Sequence, residues 1–365
     1  MKLSFISKNA YPVFVTRDSS VFGGSEIQMY RAAEYLADKG HVVSVIVGDF
    51  GQKEQVVDKK IRLYKGWWRE RKSPSLVNVL SIFKFLAVCL ADKSDVYIIR
   101  GASMELGLLR LLKTVLGKEL VFMVASNTDL DISFNQGLWT RKMYQWGLLG
   151  VDLVVCQNRF QLRQQQLKNE VVIGNWHSIP EEIPKKKKTK NISWVGTSQT
   201  LKRPELVVKL AKEIPGIKIK MVLSAHDSRV YQRTKRLAKG VKNLEMYPRM
   251  SPEQAENVIK NSDILINTSL YEGVPNTFIE AAKWGVPIVS LKVDLGGKIL
   301  DRSGGGVSCG DNWATFKKEV VDLLTDDKRL KKMGRAAYRW AKDNFDIESN
   351  MAKLEKLLTQ LVEPS

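Results

Sequence analysis

Glu272 and Glu280, with seven residues between them, flank Gly273-Val274-Pro275-Asn276-Thr277. Carboxylates accept hydrogen bonds from paired hydroxyls, and the N–H groups of a helix opening near Asn276 face an anion. A ligand carrying both a polyol and a phosphate, such as a sugar nucleotide, would use both. Taken alone, either glutamate is better read as a solvated helix residue or a partner of the N-terminal dipole. Far upstream, Gly23-Gly24-Ser25-Glu26 follows an apolar run and opens an amphipathic stretch. Two glycines let backbone approach a ligand, and the helix start behind them is a seat for phosphate. The pattern is not GxGxxG, and a glycine turn before a capped helix explains it as well.

The elements that must position these residues alternate along the chain. Short β-branched runs at 3–6, 42–47, 96–99, 120–124 and 153–156 read as parallel strands buried on both faces. Residues 25–39 read as a helix: Ser25 and Gln28 form a capping box, Ile27, Tyr30, Ala33 and Ala37 share a face, and Gly40 ends it. Two prolines and a lysine run at 179–190 mark a linker. A second alternation follows, with strands at 192–195, 217–222, 264–266 and 288–290 and helices at 204–213, 252–261, 276–284 and 313–324. The last stretch is helical with a break at Asn344-Phe345-Asp346. The expected class is α/β, with two Rossmann-like domains, 1–178 and 191–343, facing across a cleft, then a helix over 344–365.

A chain of 365 residues that is 44% hydrophobic fills two cores and excludes a disordered or collagenous protein. Fifty-eight Lys and Arg against 39 Asp and Glu give a net charge of +19, a field that draws in nucleic acid, anionic lipid or phosphorylated substrates. The cations are spread with no recognition motif, so nucleic acid is not an expected partner. Cys89, Cys156 and Cys309 lie far apart and read as reduced core thiols. Asp129-Leu130-Asp131 is formally a DxD pattern, too short to carry weight, and no metal is expected. His41 and His177 read as structural, while His226, after the strand at 217–222, is a candidate contact to a nucleotide.

No export signal opens the chain, and the apolar window 76–90 is too short to span a bilayer. A cytoplasmic location is expected. In residues 62–72, Trp67 and Trp68 stand among cations, which suits the interface of an anionic membrane at its inner face, or an acceptor.

Glu272-x7-Glu280 inside EGVPNTFIEAAKWGVPIV, Gly23-Gly24-Ser25-Glu26 and Trp194-Val195-Gly196 with Lys202-Arg203-Pro204-Glu205 resemble the family-4 retaining glycosyltransferases of GT-B fold. The motifs come in the family's order and span nearly the whole chain. The resemblance implies transfer of a sugar, with retention, from a UDP- or GDP-linked donor to a lipid-linked or polysaccharide acceptor, without a cofactor. It makes the first domain the acceptor domain, the second the donor domain, and the C-terminal helix one that crosses back to the first. Glu280 would hold the donor's ribose hydroxyls and Glu272 would lie beside the transferred sugar. Lys202 would neutralise the diphosphate, Gly24 would approach it from the other domain, and the backbone around Arg249 would meet the base. Gly196, Thr197 and Gly273, Val274, Pro275, Asn276 and Thr277 would complete the donor site. Two departures stand out. The family's usual Arg after the glycine is Thr197 here, so Lys202, helix N–H groups or Arg203 must carry more charge. A degenerate sugar-nucleotide sensor is the alternative this raises. The family's histidine after an N-domain strand is absent, leaving Asn127 or Asp129 to contact sugar or acceptor.

Overall fold

The computed structural model describes residues 1–15, 24–58, 60–68, 76–126, 129, 137–162, 167, 169–184, 189–294 and 299–363. They form two compact units, 1–176 with 348–365, and 177–347.

In chain order the first unit contains β1 (Lys2–Ile6), α1 (Tyr11–Val15), α2 (Gly24–Asp38), β2 (Val42–Val47), β3 (Gln55–Asp58), β4 (Ile61–Lys65) and α3 (Leu76–Asp92). There follow β5 (Val96–Arg100), α4 (Glu105–Leu116), β6 (Glu119–Met123), α5 (Leu138–Leu148), β7 (Leu153–Cys156), α6 (Arg159–Leu162) and β8 (Glu170–Val172). The sheet order is β3-β4-β2-β1-β5-β6-β7-β8, parallel except for β3 against β4. Its central strands β2 and β5 are buried except at one end residue each, the condition that writes continuous apolar runs into a sequence.

The basic, aromatic stretch 62–72 opens inside a strand: residues 61–65 form β4, because Ile61 and Leu63 turn inward beside β2 while Arg62 stays outside. Trp67 is 4% exposed and stacks on Phe85 with ring centroids 4.7 Å apart. It is a core residue, which corrects the expectation that it faces a bilayer. Trp68 is 41% exposed with the Lys84 ammonium 5.0 Å from its ring centre. Residues 69–72 of that stretch lie outside the described residues.

One face of this sheet is covered by α3, α4 and α5, whose Phe85, Cys89, Leu106, Leu109, Tyr144 and Leu148 share a core with the strands. Helices α4 and α5 meet at glycines. A Cβ on Gly107 would come within 2.5 Å of the Met143 carbonyl oxygen, and one on Gly147 within 2.6 Å of the Gly107 nitrogen. Gly107→Val is expected to cost about 3 kcal/mol through overpacking, read as a lower urea midpoint at unchanged slope. An unchanged midpoint would refute the close crossing.

Gln28, expected in a capping box, is buried and holds Trp176: its carbonyl oxygen accepts from the Trp176 backbone N–H at 2.9 Å, and its backbone carbonyl accepts from the indole N–H at 2.8 Å. The chain's last helix, α14 (Ile347–Val362), supplies buried Met351, Leu354 and Leu358. Asn350 donates to the Gly174 carbonyl at 3.2 Å, and His41 Nε2 pairs with Glu355 at 2.8 Å.

The second unit contains β9 (Asn191–Thr197), α7 (Glu205–Glu213), β10 (Lys218–Ser224), α8 (Ser228–Ala238), β11 (Leu244–Tyr247), α9 (Pro252–Lys260) and β12 (Ile264–Asn267). It continues with α10 (Asn276–Lys283), β13 (Ile288–Ser290), α11 (Ile299–Ser303), β14 (Gly306–Ser308), α12 (Trp313–Thr325) and α13 (Asp327–Phe345). All six strands are parallel in the order β11-β10-β9-β12-β13-β14. Val207, Leu210, Phe316 and Val320 of α7 and α12 cover one face. Phe278, Ile279, Trp340 and Ala341 of α10 and α13 cover the other. The helix break falls at Asp346, between α13 and α14. There His177 pairs with the chain's return, its N–H donating to Phe345 O at 2.8 Å and its carbonyl accepting from Ile347 N at 3.0 Å. His177 is therefore structural.

Candidate active site

The second sheet reverses its direction of winding between β9 and β12, since β10 and β11 lie on one side of β9 and β12 on the other. At such a switch point the loops leaving the two strands part and leave a crevice at their carboxyl ends. The register Ile264↔Ile192 and Leu265↔Ser193 aligns those ends. Residues 198–203 and 268–275 therefore become neighbours although some seventy positions separate them in the chain.

These two loops are bound to each other. Leu270 N–H donates to Leu201 O at 2.8 Å. The Thr268 hydroxyl donates to Lys202 O at 2.7 Å and accepts from the Trp194 indole at 3.0 Å. Lys202, at the end of a 3-10 turn (Thr200–Lys202), forms an ion pair with Glu272. Glu272 also accepts from the Ser269 hydroxyl at 2.8 Å, and Ser269 is set by its N–H to Asn267 Oδ1 at 3.0 Å. The cation and the first glutamate are thus brought together and partly desolvated, where charges interact more strongly than in water.

Arg203 follows in a left-handed conformation, φ 48 and ψ 52, which costs an L-residue roughly 1–2 kcal/mol. Its guanidinium offsets this by donating to Thr268 O at 2.6 Å and pairing with Asp311 at 2.7 Å. Arg203 is therefore engaged in holding the loops.

Gly196 is the sixth residue of β9, and a Cβ there would meet the Trp194 ring at 2.8 Å. Thr197 ends the strand, half-buried. Helix α10 opens after Pro275 with no side-chain cap, so its first N–H groups keep the partial positive charge of a helix start. Gly273, Pro275, Asn276 and Thr277 are half-buried there, Val274 is buried, and Glu280 lies half-buried one turn into the helix. Buried Lys283 anchors α10 to α9 through Glu256 at 2.7 Å. Arg249 is exposed in the loop after β11. His226 is exposed beyond β10, its N–H donating to Ser198 Oγ at 2.8 Å.

In the first unit Gly24 is exposed at the start of α2. Asp129 is buried, and its carboxylate is taken up by the N–H groups of Ala125 at 2.6 Å and Ser126 at 2.8 Å. Burial raises its pKa, opposed by those N–H groups. As placed, Asp129 shapes the turn after β6. Asn127 and Asp131 lie outside the described residues. Among the described residues no group of three His, Cys, Asp or Glu is arranged to hold a metal ion. All three cysteines are buried and free, and burial pushes the Cys156 and Cys309 thiols up to about 12. No helix among the described residues is long and apolar enough to cross a membrane.

Sequence reasoning passed over Ser198, Thr268, Ser269 and Asp311. Each is a common surface type; Ser198, Thr268 and Asp311 find their partners on another strand's loop, so no local spacing marks them.

The site-bearing part of the chain, residues 177–340, matches the model of the family Glycosyl transferases group 1. A mannosyltransferase of Mycolicibacterium smegmatis, the GDP-mannose-dependent alpha-(1-6)-phosphatidylinositol monomannoside mannosyltransferase, is 35% identical over 91 residues. That match takes in 24% of this chain and 23% of that protein, under a quarter of its length. The architecture as a whole is GT-B. Sucrose-phosphate synthase from Thermosynechococcus elongatus aligns with a TM-score of 0.78 at 15% identity, covering 99% of each chain. Anabaena HepE, in complex with UDP and glucose, aligns with 0.71 at 14% identity, covering 98% of this chain and 99% of its own.

Proposed function

We propose that the protein is a glycosyltransferase that moves a sugar from a nucleoside-diphosphate donor to a lipid-linked or polysaccharide acceptor, with retention of anomeric configuration. The observation that carries this reading is the Lys202–Glu272 pair at the β9/β12 switch point, beside an uncapped α10 that bears Glu280. In this reading Glu280 binds the ribose hydroxyls, and Lys202 turns from Glu272 to the diphosphate as negative charge builds on it. The acceptor hydroxyl attacks the anomeric carbon on the face the diphosphate leaves, its proton passing to the departing phosphate oxygen. Catalysis rests on positioning and on charge stabilisation. The mycobacterial relative's name makes GDP-mannose and a lipid-linked acceptor the first substrates to try, and HepE's complex makes UDP-sugars the next. With +19 of net charge, the enzyme is proposed to work in the cytoplasm against an anionic membrane.

A thermal-shift series with GDP, UDP, ADP and duplex DNA at physiological salt tests the donor class. A nucleoside diphosphate at a hundred times its Kd should add about 2.7 kcal/mol of stability. Stabilisation by DNA alone would overturn the proposal. Donor turnover should persist in EDTA, because Lys202 and the start of α10 supply the field a cation would otherwise give. Complete loss restored by Mn²⁺ would instead make Asp129 and Asp131 candidates for metal ligands.

A further inference from the structure

Most of the exposed large apolar side chains among the described residues sit on α3, α4 and α5, the three helices that share one face of the first sheet. Leu138, Lys142 and Trp146 of α5 and Leu149 at its C-cap recur at steps of four, four and three and form an outward stripe, while Tyr144 and Leu148 point into the core. Trp139 and Leu149 are 72% and 75% exposed, and Phe83 of α3 is 64% exposed. The layer is therefore apolar on both sides, inward by necessity and outward without a fold-based reason. A patch of this kind marks a docking surface.

We propose that the outward layer of α3, α4 and α5 is the surface through which the protein docks on an anionic lipid bilayer. This rests on the lipid-linked acceptor proposed above and replaces Trp67 as the contact. Charge selects the occupant. Lys84 and Lys113 are paired with Glu54 and Asp152, which leaves Arg110, Arg141 and Lys142 as the cations of the layer, and the helices' own acidic residues are Asp92 and Glu105 at helix ends. The Arg110 guanidinium lies over the Trp146 ring at 4.5 Å, an amphipathic pairing suited to headgroup depth, where the ring meets acyl chains and the cation meets phosphate. A second copy of the same patch would set like charges against each other in an isologous contact.

The test is co-flotation with vesicles of phosphatidylglycerol and phosphatidylcholine, compared with phosphatidylcholine alone. Binding should require phosphatidylglycerol, fall steeply with salt, and drop about a hundredfold in a Trp139→Ser/Leu149→Ser variant, since each of the two side chains leaving water contributes about a decade. Leu237→Ser on the second unit should bind as the parent does. Brominated lipid should quench the parent's tryptophan fluorescence, and quench a Trp139→Phe/Trp146→Phe variant much less. Equal binding by the parent and the Trp139→Ser/Leu149→Ser variant, no binding by the parent, or a dimer that this variant dissociates would overturn the proposal. The nucleotide thermal shift is read on the same samples. If that shift is missing while vesicle binding follows the pattern above, the donor reading fails and the docking surface stands.

Discussion

Replacing Glu280 by alanine is expected to lower kcat/KM for the nucleotide-sugar donor by about a hundredfold or more, because two hydrogen bonds to a carboxylate are lost at roughly 1.5–3 kcal/mol each. The helix should survive. Alanine is the best helix former, and α10 keeps its buried Phe278, Ile279, Ala281 and Ala282 and the anchor from Lys283 to Glu256. Glu280→Gln retains an acceptor oxygen and should fall between the two. Near-parental turnover at low donor concentration in folded Glu280→Ala would mean that the ribose is held elsewhere.

Lys202→Ala is expected to lower kcat by about 10²–10³, the loss typical of removing one group that stabilises charge in the transition state, with a smaller change in donor affinity. It also strands the Glu272 carboxylate, which then keeps only Ser269 among the contacts described here. A structural role is therefore separated with Lys202→Met/Glu272→Gln, which removes both charges. If Lys202 acts on the leaving group, the double variant recovers thermal stability and stays inactive. Recovery of activity along with stability would reduce Lys202 to a partner for Glu272.

The alternation of strand and helix was readable because parallel strands buried on both faces must be apolar throughout, as in the Val-Val-Ser-Val-Ile-Val of β2. The strands that escaped notice include the four at the sheet edges, β3, β8, β11 and β14. They are short and mostly half-buried, so they carry no continuous run. Glu272 and Glu280 were singled out by their spacing, and Lys202 by the resemblance to a known family. The pairing of Lys202 with Glu272 was not, because it depends on β9 and β12 becoming neighbours across intervening strands. The pairing of Arg203 with Asp311 was hidden for a similar reason: the two lie 108 positions apart. Trp67 misled because an aromatic residue among cations looks interfacial. Gly66 and Phe85 decide otherwise, for a Cβ on Gly66 would fall 2.3 Å from an Ile46 methyl in the same packed layer.

Residues 348–365 belong to the unit that begins at Met1. On the ribosome, therefore, the order of completion reverses the order of synthesis. The second unit is contiguous, so all of it is available to fold before the final helix has left the exit tunnel. The first must wait for Met351, Leu354 and Leu358. Until then the nascent chain exposes the apolar seats those residues will fill, for the time taken to translate the whole second unit, and such transient surface invites aggregation and chaperone binding. A chain terminated within that last helix would carry a finished second unit and an unfinished first one, so the defect would be exposed in the amino-terminal half, far in sequence from the missing residues.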